Sequence, residues 1–186
     1  MQERNVDPSD ANNYAIRLAS ENGHLPVVDR LLQDERVNPS AMHNEAIRLA
    51  SANGHLPVVD RLLQDQRVNP SDEYDYAIRL ASENGHLPVV DRLLQNVPER
   101  PPWERVHPNA LNNYAIRLAS KNGQLPVVDR LLQDERVDPS ALNNFAIRQA
   151  SKNGHSPVVH RLLQDTRVRN SLSPTDLQKF STHSRI

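Results

Sequence analysis

The sequence predicts an all-α solenoid of five helix-turn-helix repeats, and three observations lead there. The first is internal repetition. The segment YAIRLASENGHLPVVDRLLQ at 14–33 returns almost letter for letter from Tyr76 and Tyr114, and more loosely from Glu45 and Phe145. With the Ala of each AIR as marker, the rungs are Ala15, Ala46, Ala77, Ala115 and Ala146, at steps of 31, 31, 38 and 31 residues. A fixed period of this size marks one supersecondary unit stacked on copies of itself, each too small to bury its apolar face alone. The second is that all five glycines, Gly23, Gly54, Gly85, Gly123 and Gly154, occupy a single repeat position. The third is composition: 37% hydrophobic and only 4% aromatic residues suit packing repeat by repeat, not one large central core. Function is therefore expected on a surface and not in a cavity.

Taken in order, residues 1–9 read as the finger of a preceding unit, because QERNVDPS matches QDERVDPS at 133–140. The repeats follow as 10–40, 41–71, 72–109, 110–140 and 141–171. In the first, Asn12 and Asn13 offer side-chain acceptors to a helix running from Tyr14 to Asn22, with apolar Ile16, Leu18 and Ala19 at helical spacing. Asn22 and Gly23 end it, as expected where the backbone turns left-handed after a helix. Pro26 opens a second helix to Gln33, a position where its missing N–H costs nothing. Val27, Val28, Leu31 and Leu32 form that helix's inward stripe. DERVNPSA then predicts a hairpin-like finger leading to the next unit. In repeat five Gln149, Ser156 and His160 replace Leu118, Leu125 and Asp129, the polar outer face of a terminal unit. Residues 172–186 complete the chain as a capping helix and tail. The helix is placed at 173–180, with Ser173 as N-cap, Pro174 as first helical residue, and Leu177 and Phe180 on one side.

Helix, turn, helix and finger, with NGH followed by VV and LL, resembles the ankyrin repeat over roughly residues 10–171. The family pattern TPLHxAAxxGHxxVVxxLL corresponds here to YAIRLASENGHLPVVDRLL. The first half departs: TPLH is replaced by YAIR, EAIR or FAIR, and the finger is two residues shorter. Repeats of this form look like those in long arrays of protists and large DNA viruses. In the family that Thr and His lock neighbouring units, so the resemblance implies that other residues take over the locking here. It also implies protein binding through finger tips and the concave face of the first helices. Carried over by position, the tips are residues 10–13, 41–44, 72–75, 110–113 and 141–144, reading DANN, AMHN, DEYD, ALNN and ALNN. Variation inside an otherwise uniform array points to Met42, His43, Glu45, Glu73, Tyr74, Asp75, Leu111, Asn112, Leu142 and Asn143 as partner-binding residues. Drift in a solvated loop is the competing account.

The spacing breaks once, where NVPERPPWERVHPN separates repeats three and four and carries the only Trp of the chain, Trp103. Two readings compete for it. Trp103 folds back over the flanks of the two repeats, the reading placed first, or it anchors an interface within a charged rim of Glu99, Arg100, Glu104 and Arg105. Charge is also uneven beneath a net value of −1. Residues 1–95 hold 9 basic and 15 acidic side chains, residues 96–186 hold 13 and 8, so the array is an electrical dipole.

Two ladders invite chemistry. His24, His55, His86 and His155 recur at the GH position, but stacked helices lie about 8–10 Å apart and zinc needs nitrogens at about 2 Å, so backbone bonding at the turn is expected in place of a metal. Arg17, Arg48, Arg79, Arg117 and Arg148 are expected to pair with the Asp29 series on the second helix or to cap carbonyls, which ranks nucleic-acid binding third. There is no cysteine, and Ser, His and Asp recur as ladders instead of one constellation, so no catalytic residue, cofactor or small-molecule substrate is expected. Nor do 18 apolar residues run together, so no membrane span is expected. The reading is a monomeric, non-catalytic protein-interaction module of the cytoplasm or nucleus. Its alternative is a structural spacer or a self-assembling array with salt-sensitive association.

Overall fold

The computed structural model describes residues 6–95 and 101–183. Helix pairs repeat along the chain: α1 (Asp10–Glu21) with α2 (Leu25–Leu32), α3 (Ala41–Ala52) with α4 (Leu56–Leu63), and α5 (Asp72–Glu83) with α6 (Leu87–Leu94). Next come α7 (Ala110–Lys121) with α8 (Leu125–Leu132) and α9 (Ala141–Lys152) with α10 (Ser156–Gln164). Two further helices, α11 (Thr166–Ser171) and α12 (Pro174–His183), close the end. Odd helices stack on odd and even on even, giving the two helical layers of an ankyrin-like solenoid. Among the described residues there is no strand.

The core is a ladder. Val58, Val59, Leu62 and Leu63 of repeat two are buried, as are their counterparts Val89, Val90, Leu93 and Leu94. In repeat one the equivalent Val27 is 48% exposed, since no helix of an earlier repeat packs on it among the described residues. On the first helix Ile16, Ala19 and Ser20 share the buried face at i, i+3 and i+4. Leu18, apolar and on the same helix, falls off that face and is exposed. The finger is not hairpin-like: it is a compact turn whose Val37, Val68, Val106 and Val137 are buried. Its charge is tied locally, since Asp34 accepts from the Arg36 backbone N–H and guanidinium, which holds that carboxyl down at about 2.

Each glycine sits at positive φ, and at Gly54 (φ 74°) a second constraint operates. A Cβ there would lie 2.5 Å from His86 Nδ1. At Gly154 (φ 76°) it would meet nothing, since no helix pair stacks beyond it among the described residues. Gly154→Ala should therefore cost about 1 kcal/mol from backbone strain alone, while Gly54→Ala should cost about 2 kcal/mol by displacing His86 as well. Chemical denaturation of the two variants checks this, and equal losses would remove the steric argument.

The C-terminal cap forms as expected. Asp176 N–H donates to Ser173 Oγ at 3.1 Å, and that hydroxyl donates to the Asp176 carboxylate at 2.8 Å, a reciprocal N-cap. Phe180 is buried, and α12 packs against α10 and runs three residues past the predicted end. The preceding α11 was not predicted. It stands where another finger would follow, and the Asp165 side chain caps it by accepting from Arg167 N–H.

Candidate functional site

The first helix of each repeat, α1, α3, α5, α7 and α9, begins with a turn of opposite hand. Residues 11–13, 42–44, 73–75, 111–113 and 142–144 all have φ between 50° and 62°. The right-handed helix proper begins only at Tyr14 and its counterparts, so Asn12 and Asn13 are not helix caps. The bond from Asn13 N–H to the Ser9 carbonyl, 2.9 Å, closes this left-handed turn. Left-handed backbone costs L-residues roughly 1–2 kcal/mol each, and only Gly, Asn and Asp adopt it routinely. Two side chains hold the turn in place. The third residue of each is Asn or Asp and buried. Asn13 Oδ1 accepts the Asn38 N–H at 2.7 Å, and Asn44, Asp75 and Asn113 accept from Asn69, His107 and Asp138 at 2.7–2.8 Å. From the helix side, Arg17 donates to the Asn12 and Ala11 carbonyls, and Arg117 and Arg148 repeat the motif.

The ladders thus resolve into separate jobs. Of the first-helix arginines, Arg17, Arg79, Arg117 and Arg148 cap carbonyls, and several stack on aromatic rings: Arg48 and Arg79 on Tyr76, Arg79 and Arg117 on Tyr114, and Arg117 on Phe145, at 4.6–5.4 Å. Their expected pairing with the Asp29 series does not occur. Asp29, Asp60, Asp91 and Asp129 pair instead with Arg61, Arg92, Arg130 and Arg161 on the next second helix, at 2.5–2.6 Å, because helices of the same layer lie nearest. The histidines bond backbone across rungs. His55, His86 and His155 Nε2 lie 2.9 Å from the carbonyls of Glu21, Ala52 and Lys121, and a carbonyl can only accept, so Nε2 carries the proton. Asn53, Asn84 and Asn153 donate to the same three carbonyls. Arg67 adds a bond to the Val37 carbonyl. These contacts are the locks between units. Among the described residues no three His, Asp or Glu side chains converge as a metal site requires.

Because the odd helices stack in register, the left-handed turns form a ridge along one edge. It presents Met42, Tyr74, Leu111 and Leu142 as exposed apolar side chains, with His43, Asn112 and Asn143 exposed beside them and Glu73 half-buried. Two expected binding residues belong to the scaffold instead. Asp75 is 4% exposed, because its position is the buried lock of the turn. Glu45 occupies the aromatic slot of its rung and is consumed by an ion pair with Arg17.

Trp103 is 74% exposed, which overturns the expectation that it folds back as a cover. Glu99 and Arg100 of its expected rim lie outside the described residues. Pro102–Glu104 form a single 3₁₀ turn, and the Trp103 carbonyl accepts from Ser71 Oγ at 2.9 Å. That bond draws the long connection toward the turn of repeat three, so Trp103 and Tyr74 line one hollow. Neither the left-handed turn nor this tether has a local sequence signature; the only available signal was that Tyr74, Asp75, the insertion and His107 all depart from the array at one joint.

No helix among the described residues is long and apolar enough to cross a membrane. No known family profile matches the chain, and neither does any curated protein. Among solved structures, an ankyrin repeat family protein from Legionella pneumophila is similar at 18% identity and a TM-score of 0.41, covering 91% of this chain and 76% of its own.

Proposed function

We propose that this chain is a non-catalytic protein-interaction module that holds a protein partner along the ridge of left-handed turns. The observation that carries the reading is the placement of Met42, Tyr74, Leu111 and Leu142. Each stands in left-handed backbone that disfavours it, and each is exposed, with Tyr74 at 69%. Such residues strain the fold and bury little in return, a combination that points to a surface role. Trp103 extends the same edge with the residue type most enriched at interface hot spots. A small-molecule enzyme is disfavoured because the His, Asp and Arg ladders are already committed to joints between rungs.

Asn tolerates left-handed backbone, so Met42→Asn, Tyr74→Asn, Leu111→Asn and Leu142→Asn together strip the ridge without harming the fold. A photo-reactive side chain at position 143 should cross-link a partner in native extract. The same group at exposed Gln133, in the finger, should not. The stripped variant should lose the product while its melting temperature holds or rises. Cross-linking that is unchanged in the stripped variant would refute the ridge.

The second reading, a spacer or self-assembling array, draws on the charge difference between residues 1–95 and 96–186. Sedimentation against salt separates it: an oligomer that dissolves as salt rises favours assembly, and a monomer throughout favours the module.

A further inference from the structure

The hollow of about 370 Å³ between Trp103 and the turn of repeat three is lined by Asn69, Ser71, Asp72, Glu73, Tyr74 and Trp103. Two large aromatic rings, 69% and 74% exposed, share it with two carboxylates. Both carboxylates are anchored. Asp72 accepts from Asn44 Nδ2 at 2.8 Å and from the Glu73 N–H at 2.9 Å, and Glu73 reaches His43 Nδ1 at 3.3 Å. The nearest cation on this helix, Arg79, is committed: it donates to the Glu73 carbonyl and stacks between Tyr76 and Tyr114. All of the lining but Trp103 comes from residues 1–95, which carry 15 acidic against 9 basic side chains.

Aromatic faces with nearby carboxylates attract cations: the rings through their quadrupoles, Trp most strongly, and the carboxylates by direct charge. We propose that this hollow receives a lysine or arginine side chain of the partner, and therefore that the partner segment crossing repeats two to four is basic. The inference rests on the ridge reading above and adds the chemistry of the occupant. Repeat three is where the array gives up its own residues to build this place. Tyr74 stands where other repeats have Asn12, His43, Asn112 and Asn143, and Glu73 stands where they have Ala11, Met42, Leu111 and Leu142. The two changes supply one ring and one carboxylate, and the long connection supplies the second ring.

Because Trp103 is the only tryptophan, its emission reports occupancy directly. The probe is a capped Gly-Ser peptide carrying three arginines, compared with the same peptide carrying three glutamines or three glutamates. The arginine peptide should produce a saturable change in emission that weakens with salt, with the other two binding at least roughly tenfold more weakly. Tyr74→Asn, which leaves net charge unchanged, should weaken binding several-fold, and so should Glu73→Gln. Trp103→Ala, followed by calorimetry, should do the same with an unaltered melting curve. Arginine-peptide binding that ignores Tyr74→Asn and Trp103→Ala would be diffuse attraction to an acidic surface and would overturn the proposal. Preference for the glutamine or glutamate peptide would overturn it as well. If position 143 cross-links a partner that the arginine peptide neither competes with nor resembles in charge, the ridge reading stands and this one fails. Peptide binding without any cross-linked partner would separate them the other way.

Discussion

Replacing Asp75 by Asn is expected to stabilise the protein at pH 7 by on the order of 2–3 kcal/mol. Burial pushes the Asp75 carboxyl up from 3.8 to about 6, and the His107 N–H and imidazole pull it back only in part. In the fold this group therefore holds a proton that the unfolded chain has already released. Its contribution is fully favourable below about pH 4 and is lost as pH rises toward 6, so at neutral pH the fold keeps a buried charge it disfavours. Every other repeat has a neutral Asn at this position, and Asn113 shows that the amide oxygen makes the same bond to a finger N–H. Urea denaturation across pH 4–8 measures the effect. The native protein should lose stability over that interval relative to Asp75→Asn, with the two converging near pH 4. Parallel curves would mean that Asp75 is already solvated.

Phe180→Ala is expected to cost about 3–5 kcal/mol, the usual loss for a fully buried aromatic ring. Phe180 is the main apolar anchor of α12, which also holds on through Asp176 to Arg148 at 3.0 Å. In a stack where each unit contacts only its neighbours, such a loss is local. Hydrogen exchange should accelerate in α9 and α10 and stay near native in α1 to α4. Deleting residues 172–186 and restoring Gln149→Leu and Ser156→Leu should then leave an open apolar end and promote association. A truncated variant that stays monomeric would deny α12 its capping role.

Much of the scaffold was legible because its signals are local. Gly85 after Asn84 ends a helix wherever it falls, Pro88 suits a first turn, and Ser173 with Asp176 three residues on is a cap regardless of what it packs against. The candidate ridge was legible only as variation. Residues 41–44 and 72–75 stood out because the rest of the array did not vary, which located a surface but said nothing about backbone hand or burial. The same pattern groups Glu45 and Asp75 with Met42 and Tyr74, because it marks difference, and difference arises both at contacts and at compensated joints. For a related reason the sequence favours an inward Trp103. A large ring in a proline-rich insertion favours burial by composition alone, whereas the connection is held by its backbone, through the Trp103 carbonyl to Ser71 and the His107 N–H to Asp75, and the ring itself stays exposed.

What the sequence by itself determined is the unit and its count: five helix pairs, their turns, and the end of the stack. These depend on apolar period and on the backbone limits of Gly and Pro, which act within a few residues. The tertiary structure alone decided the hand of the turns, the partners of the two arginine ladders, and the burial of Asp75. A left-handed run of Met, His and Asn is unfavourable in isolation and persists because Asn44 accepts from Asn69 in the finger and packs in the buried joint between units. Likewise Arg61 selects Asp29 because equivalent helices lie side by side, a proximity set by the stacking of units and by no residue within either one.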